Sequence, residues 1–361
     1  MHLTNLSLIN FKNHAEKQFD LCKEINVFVG NNGVGKTNVL DAVHYLSLCK
    51  SFLNPVDKQN IKLESNFFMI QGDFFRENKN YNISCSVQTG QKKKIKKNKK
   101  EYEKLADHIG EFPVVVISPY DSNLVSEGSD VRRKFIDSII SQHDKNYLET
   151  LIKYNKVLAQ RNSLLKQFQE YRLFDIESIE VWDAQLVSLG NLIHDKRAAF
   201  LIDFLPRFQD FFNLISEGKE AISIAFSSQL TDMNFGELLV SCHKKDARAG
   251  YTTVGIHKDD LLFTIHDGQP IKKFGSQGQQ KSFLIALKLT QFDYIQQLTG
   301  KKPILLLDDI FDKLDHFRVE SLMRMVSAGT FGQVLVTDTD RERIDKVFSA
   351  IECDRKIYEI L

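Results

Sequence analysis

The 361-residue chain has little of what would indicate a secreted, zinc-binding or membrane-spanning protein. Its five cysteines, at positions 22, 49, 85, 242 and 353, include no C-x-x-C pair, which argues against a zinc site or a disulfide framework. Scattered cysteines are typical of the reducing cytoplasm, where we expect this protein to be. No apolar run approaches the roughly 18 residues that a membrane helix needs, and residues 1–20 contain no secretory segment.

The chain also lacks an excess of charge of either sign, with 48 Lys and Arg against 47 Asp and Glu. A surface that binds nucleic acid must therefore be a local patch. The low-complexity run of seven lysines between residues 92 and 100 is such a patch. The length allows two domains, or one core with a large insertion, and we find no internal repeat.

Residues 30–37, with the sequence GNNGVGKT, match the phosphate-binding loop G-x-x-x-x-G-K-[ST] without a mismatch. Residues 25–29 (INVFV) before them read as a buried strand, and residues 38–46 after them have apolar side chains at helical spacing. Strand, glycine-rich turn and helix are the context that this motif requires. A glycine-rich turn that matches the pattern by chance is the alternative, which both flanks disfavour.

Each residue type in this loop has a chemical reason. Backbone N–H groups and the positive end of the following helix can receive the negative charge of ATP. Glycines adopt backbone angles that a Cβ obstructs. Lys36 is expected to contact the β- and γ-phosphates, and the Thr37 hydroxyl to ligate Mg²⁺. The candidate nucleotide ligands are Gly30, Asn31, Asn32, Gly33, Val34, Gly35, Lys36 and Thr37.

A second constellation is the apolar run at 303–307 (PILLL), which ends in Asp308 and Asp309. A hydrophobic strand that ends in acid is the partner a phosphate-binding loop needs. We expect Asp308 to hold Mg²⁺ through water near Thr37. Asp309 follows where a catalytic carboxylate can orient or polarise the attacking water. The alternative is a strand that merely exits into a polar turn.

A third constellation, residues 276–279 (SQGQ), opens a helix with apolar residues at helical spacing. Serine and glycine at a helix N-terminus form an anion site. The loop at Lys36 already provides a site for one triphosphate. A second γ-phosphate site in the same chain makes sense if Ser276 contacts the nucleotide that another subunit binds. We therefore expect Ser276 to act in catalysis across a symmetric dimer that ATP holds together.

Apolar residues recur every three to four positions in residues 148–168 and 182–204, which predicts two long amphipathic helices. They predict an antiparallel helical arm domain at 131–249, to which we assign no chemistry. The arm is inserted into an α/β head made of residues 1–130, with the phosphate-binding loop, and 250–361, with the acidic strand.

The order of these motifs resembles the ATPase heads of the ABC superfamily and, more specifically, the RecF family of bacterial recombinational repair proteins. The phosphate-binding loop alone is generic, but further segments along nearly the whole chain make the resemblance specific. They are residues 10–13 (NFKN), 132–137 (RRKFID), 160–166 (QRNSLLK), 182–186 (WDAQL), 255–260 (GIHKDD) and 272–282. Leu314-Asp315, after the acidic strand, belongs to the motif order that resembles the ABC superfamily. The implied fold is an ABC-type P-loop head of mixed sheets and helices with an inserted helical arm.

The resemblance implies DNA binding, on single-stranded, gapped and duplex DNA, in recombinational repair and replication restart. It further implies slow, DNA-dependent ATP hydrolysis that acts as a switch, ATP-driven dimerisation, and mediators like RecO and RecR that help to load recombinase at gaps. The family's ATP-binding residues carry over to 30–37, its signature serine to Ser276, and its acidic pair to Asp308 and Asp309.

This sequence departs from the family pattern at several positions. Asp309 stands where ordinary ABC proteins have the longer Glu, which puts efficient hydrolysis in question. Gln277 replaces a signature Gly, Lys12 a usual Arg, and Ile256 a usual Pro.

Three other interpretations stay open. A transporter ATPase subunit usually has the loop and the acidic strand much closer in sequence than Thr37 and Asp308, which are 271 residues apart. A head of the SMC type would carry a longer coiled-coil arm than these two helices allow. In a non-enzymatic module, ATP would be a clamp ligand and turnover incidental.

Two further groups of residues have both a functional and a structural interpretation. His257, Asp259 and Asp260 offer three metal-ligand types in four residues, but a structural role at the entry to the strand at 261–265 is favoured because no fourth ligand is evident. The lysine run reads as a hairpin tip with Asn98 in the turn. There Lys96, Lys97, Lys99 and Lys100 are candidate DNA contacts, and a merely solvated tip is the alternative.

Overall fold

The computed structural model of the protein describes residues 1–218, 220–265, 268–310, 325, 329–348 and 353–361. Leu314 and Asp315 lie outside the described residues. The chain forms two compact units, one of residues 1–122 with 284–361 and one of residues 123–283. The second unit includes the predicted arm at 131–249 and extends beyond it at both ends. As a division into functional domains, the predicted boundaries stay a prediction.

The first unit contains a six-stranded antiparallel sheet, and elements are numbered along the chain. In spatial order its strands are β2 (His14–Asp20), β1 (His2–Phe11), β4 (Phe67–Arg76), β5 (Lys79–Gln88), β6 (Lys94–Lys97) and β7 (Lys100–Glu101). Buried side chains alternate with less buried ones along β4 and β5, as expected for a sheet with one face on a core. The strands predicted at 3–11, 67–70 and 81–87 are confirmed.

A five-stranded parallel sheet forms the other half of this unit. Its spatial order is β14 (Arg355–Glu359), β3 (Ile25–Val29), β13 (Val334–Asp338), β12 (Ile304–Asp308) and β8 (Val114–Ile117). Every residue of the inner strands β3, β13 and β12 is buried, which explains their continuous apolar runs. Because the strands are parallel, their carboxyl ends meet at one edge of the sheet.

Three of the helices whose bounds the structure describes belong wholly or partly to the first unit. They are α1 (Lys36–Leu48), α8 (Gln277–Thr299), which begins in the second unit, and α9 (Arg341–Phe348). Most residues of α1 are buried, because the helix lies in the core between the two sheets. The predicted helices after residue 37 and after residue 276 are confirmed.

The second unit is mainly helical. Its helices are α2 (Asn123–Ser126), α3 (Ser129–Ser141), α4 (Lys145–Tyr171), α5 (Ile176–Ser216), α6 (Phe235–Ala249) and α7 (Ile271–Phe274). A small sheet has the order β11 (Gln269–Pro270), β10 (Asp260–Ile265) and β9 (Ile222–Ser227). The long helices α4 and α5 pack along each other, which confirms the two predicted amphipathic helices. None of the described helices is long and apolar enough to cross a membrane.

Two buried arginines join the helices of the second unit. Arg161 donates to Asp183 at 2.6 Å and to Asp246 at 2.7 Å. Arg197 donates to Asp137 at 3.0 Å and to Asp259 at 2.8 Å. Buried charges persist only when they are paired and hydrogen-bonded, so removing one partner is expected to be strongly destabilising. The segments 132–137, 160–166, 182–186 and 255–260 therefore each contribute one residue to these buried ion pairs.

The metal interpretation of residues 257–260 is wrong. His257 bonds through Nε2 to Thr252 O at 3.1 Å and through Nδ1 to the Tyr154 hydroxyl at 3.0 Å, and burial lowers its pKa to about 4. Asp259 pairs with Arg197, whereas the neighbouring Asp260 pairs with an arginine of α3. Among the described residues, no group of three or more metal-ligating side chains is placed to hold an ion.

Candidate nucleotide site

The phosphate-binding loop connects β3 to α1, and its glycines answer steric constraints. A Cβ on Gly30 would lie 2.4 Å from the backbone oxygen of Ile360. Gly35 has a φ of 105°, and a Cβ there would lie 2.5 Å from the Asn13 side chain. Larger residues at either position would displace the loop. The loop is thus a cradle shaped by close backbone approach, as binding of a phosphate chain requires.

Lys36 is the cation of this loop. Its side chain is 4% exposed, and Nζ donates to Gly30 O at 2.9 Å and to Asn31 O at 3.0 Å. An ammonium group has three protons, so these two bonds leave one donor for a ligand. The two carbonyls hold the charge beside the exposed loop residues Asn31 and Asn32.

The structure brings Thr37 and Asp308 together from opposite ends of the sequence. Thr37 Oγ1 donates to Asp308 Oδ1 at 2.8 Å. The parallel sheet causes this contact, because β3 leads into the loop and β12 ends at the same edge, with β13 between them. The donor set consists of a hydroxyl and a carboxylate, which are the hard oxygen ligands that Mg²⁺ prefers.

Asp308 and Asp309 have different environments. Asp308 is 2% exposed; burial raises the pKa of its carboxyl, and hydrogen bonds from Thr337 and Thr37 oppose that rise. Asp309 is half-buried and has a left-handed backbone, with a φ of 45°. A carboxylate with partial solvent access can contact water, whereas the inner one is confined. Their positions are consistent with the separate roles predicted for them.

The turn between β1 and β2 supports the loop from one side. Asn13 Nδ2 donates to Val34 O at 2.7 Å, and His14 Nε2 lies 3.0 Å from Gly35 O. Because a trans peptide places its N–H opposite its carbonyl, these bonds turn the next N–H groups away from the turn. Sequence reasoning treated residues 10–13 only as a family segment and missed this contact, for which their spacing carried no signal.

Ser276 begins α8 and belongs to the second unit. Its Oγ accepts from Gln279 N at 3.1 Å, and Gln279 Oε1 accepts from Ser276 N at 2.9 Å. This is a capping box, which the S-x-x-Q spacing could have predicted. The exposed Ser276 hydroxyl keeps its own proton and can still donate it to an anion.

The lysine run forms the predicted hairpin tip. Asn98 and Lys99 have φ values of 50° and 69°, which suit a two-residue turn between β6 and β7. Lys93 pairs with Asp57 at 2.9 Å, and Lys97 pairs with Glu111 at 2.6 Å. The ammonium of Lys97 is therefore engaged within the head. Within the described ranges, no carboxylate pairs with the other lysines of the tip, which are Lys92, Lys94, Lys96, Lys99 and Lys100.

Comparison with known proteins agrees with this geometry. A family profile described as RecF/RecN/SMC N terminal domain matches residues 2–356. The chain is 48% identical to the DNA replication and repair protein RecF of Flavobacterium johnsoniae, over 100% of both chains. It is 46% identical to the protein of the same name in Phocaeicola vulgatus, over 100% of this chain and 96% of the relative.

Two solved structures resemble this chain in fold. The structure titled recombination mediator protein RecF-ATP in the RecFOR pathway is 28% identical, with a TM-score of 0.88, over 99% of this chain and 95% of that one. An Smc head domain from Pyrococcus furiosus, bound to a domain of ScpA, is 16% identical over 97% of this chain and 91% of that one, with a TM-score of 0.52, and shares the fold alone. The predicted α/β head of the ABC type is confirmed. The chain belongs to the RecF family of DNA replication and repair proteins.

Proposed function

We propose that this protein is an ATP-dependent, DNA-binding switch of recombinational repair and replication restart. Relatives that match the full length of this chain are named DNA replication and repair proteins, and one similar solved structure is described as RecF-ATP. The observation that carries the ATP site is the hydrogen bond of 2.8 Å between Thr37 and Asp308. It joins the two motifs that a Mg²⁺–triphosphate site needs, which lie 271 residues apart.

Each site residue then has a role. The loop N–H groups and Lys36 bind the phosphates, with the positive end of α1 behind them. Thr37, and Asp308 through water, would hold Mg²⁺, which neutralises charge on the β- and γ-oxygens. Asp309 orients the attacking water. Its side chain is one methylene shorter than Glu, so we expect slow hydrolysis, suited to a switch.

We assign Ser276 to the nucleotide of a second subunit. Its hydroxyl is exposed at the start of a 23-residue helix and retains a proton to donate. A symmetric dimer would use two such contacts and close around two ATP molecules. Mediators like RecO and RecR are the protein partners that we propose from the family alone.

Asp309→Asn is expected to bind Mg²⁺–ATP through Asp308 but to hydrolyse it at least about tenfold more slowly, because the amide cannot accept a proton from water. The dimer should then persist longer with ATP. Rapid-quench hydrolysis and dimer lifetime by light scattering test this. Faster dissociation than in the wild type would show that Asp309 is not the water-orienting residue. A wild-type dimer trapped by ATP without repeated turnover would favour the clamp alternative.

The DNA surface that we propose is the lysine tip. Lys94, Lys96, Lys99 and Lys100 keep their ammonium groups for phosphates, whereas Lys97 is paired with Glu111. Replacing these four lysines by Ala should weaken binding to any DNA sequence. It should also reduce the slope of log K against log[salt] by roughly 2, since each duplex phosphate neutralised contributes about 0.9 and about half of the lysines on such a tip can meet phosphates at once.

Lys97→Ala is the matched control for this experiment. The residue lies on the same hairpin, but its ammonium faces Glu111 and the Tyr81 ring. Its loss should lower the melting temperature and leave the salt slope unchanged. ATP affinity without DNA should be unaffected in both variants. If the variant with all four lysines replaced kept the wild-type salt slope, the DNA would bind on another surface.

A further inference from the structure

Thr337 lies beside the two acidic residues and belongs to no recognised motif. It is fully buried near the end of β13, and its Cα pairs in register with that of Asp308 on β12. Its Oγ1 lies 2.8 Å from Asp308 Oδ1 and 3.0 Å from Asp309 N. One hydroxyl therefore touches both the residue proposed to hold Mg²⁺ and the residue proposed to orient the attacking water.

The direction of these two bonds is forced. A backbone N–H can only donate, so Thr337 Oγ1 accepts from Asp309 N. An ionised carboxylate can only accept, so the Thr337 proton goes to Asp308 Oδ1. The hydroxyl has no freedom to reverse while Asp308 is ionised. This arrangement couples the charge of one acid to the backbone position of the next.

Because of this arrangement, the two carboxyl oxygens of Asp308 differ in their hydrogen bonds. Oδ1 accepts two hydroxyl protons, from Thr37 and from Thr337. Among the residues that the structure describes, none donates a hydrogen bond to Oδ2. The same carboxylate thus has one oxygen engaged by the protein and one left to accept from a metal-bound water.

The same hydroxyl also restrains the backbone of Asp309. Its φ of 45° is uncommon for a residue other than glycine, although aspartate tolerates it better than most. The bond from its N–H to Thr337 links this residue to the sheet at its first position beyond β12. A carboxylate that must aim at one water molecule needs such a support.

We propose that Thr337 is a positioning residue for ATP hydrolysis, which fixes the orientation of the Asp308 carboxyl group and holds Asp309 in its left-handed conformation through a single hydroxyl. The inference rests on the proposed function, because it concerns the same site. Both contacts come from one hydroxyl, so its removal frees the Asp308 carboxyl group and the Asp309 backbone together.

Thr337→Val tests the inference, because valine keeps the shape and lacks the hydroxyl. We expect single-turnover hydrolysis to fall about tenfold or more, the factor that a lost hydrogen bond to a charged group carries. The Mg²⁺ concentration needed for half-maximal binding of a fluorescent ATP analogue should rise. Thr337→Ser restores the hydroxyl and should return both quantities towards wild type.

Thr290→Val is the matched control. Thr290 is equally buried, but its hydroxyl donates to Ala286 O within α8, at 2.7 Å. It should lose stability without a change in Mg²⁺ dependence. Should Thr337→Val fail to fold, Thr337→Ala removes the same hydroxyl and carries the same expectations.

A wild-type rate and Mg²⁺ dependence in Thr337→Val would overturn the inference, as would a Ser variant no better than Val. Lys36→Ala separates this failure from that of the proposed function. Loss of nucleotide by Lys36→Ala with a normal Thr337→Val refutes only the role of Thr337. Undiminished nucleotide affinity in Lys36→Ala refutes the nucleotide site itself.

Discussion

Lys36→Ala is expected to abolish ATP binding, with a loss of affinity on the order of 100-fold or more, as for truncation of one partner in a buried charge pair. The side chain is 4% exposed, and its ammonium is held by the Gly30 and Asn31 carbonyls at the loop. The proposed contacts include no other side-chain cation on the β- and γ-phosphates. Equilibrium binding of a fluorescent ATP analogue measures the effect directly.

Two variants make this result specific. Lys36→Arg keeps the charge but replaces a compact ammonium by a planar fork, so it should bind ATP and hydrolyse it poorly. Lys93→Ala removes another lysine that donates to a backbone carbonyl, that of Cys49 at 2.6 Å, away from the loop. It should lower stability and retain nucleotide affinity. Undiminished affinity in Lys36→Ala would contradict the assignment of the loop.

Ser276→Arg is expected to remove ATP-driven dimerisation while monomer affinity for ATP stays within about twofold, because the serine is proposed to face the partner's nucleotide. The arginine removes the cap on Gln279 N and places a cation at the positive end of α8. Both changes act at the start of the helix, outside the phosphate-binding loop. Sedimentation velocity with and without ATP, and with and without DNA, reads out the dimer.

Because Ser276→Arg also loses a helix cap and gains a charge, a control variant makes the same two changes at another helix. Asn234 caps α6 by accepting from Gly236 N at 2.9 Å, on the same compact unit. Asn234→Arg loses a cap and gains the same charge, yet it should dimerise normally with ATP. Normal ATP-dependent dimers of Ser276→Arg would disprove the contact in trans.

Some parts of this protein could be predicted from the sequence because they depend on neighbouring residues. The loop at 30–37 is contiguous, and its glycines, lysine and threonine each serve local chemistry. The helices α4 and α5 are long and periodic, so their pattern outweighs local exceptions. The strand β12 has a continuous apolar sequence and an acidic end, which predicted a buried strand that leads into the site.

Other assignments depended on partners far away in sequence. For His257 the sequence favoured a structural role over a metal site, but only the structure shows its partners, Tyr154 and Thr252, at the two ring nitrogens. In the lysine run, Lys96 and Lys97 are adjacent residues of the same type, and the run itself does not distinguish their roles. They point to opposite faces of β6, and only Lys97 reaches Glu111.

The sequence by itself determined the phosphate-binding loop, the acidic strand and the family, because motifs of fixed spacing carry that information. Only the tertiary structure decided which side chains complete the site. Thr337 is one threonine among many until the register of β13 places its hydroxyl against Asp308. Strand order and register arise from packing of the whole sheet, so a hydrogen bond between two distant strands has no signature in either strand alone.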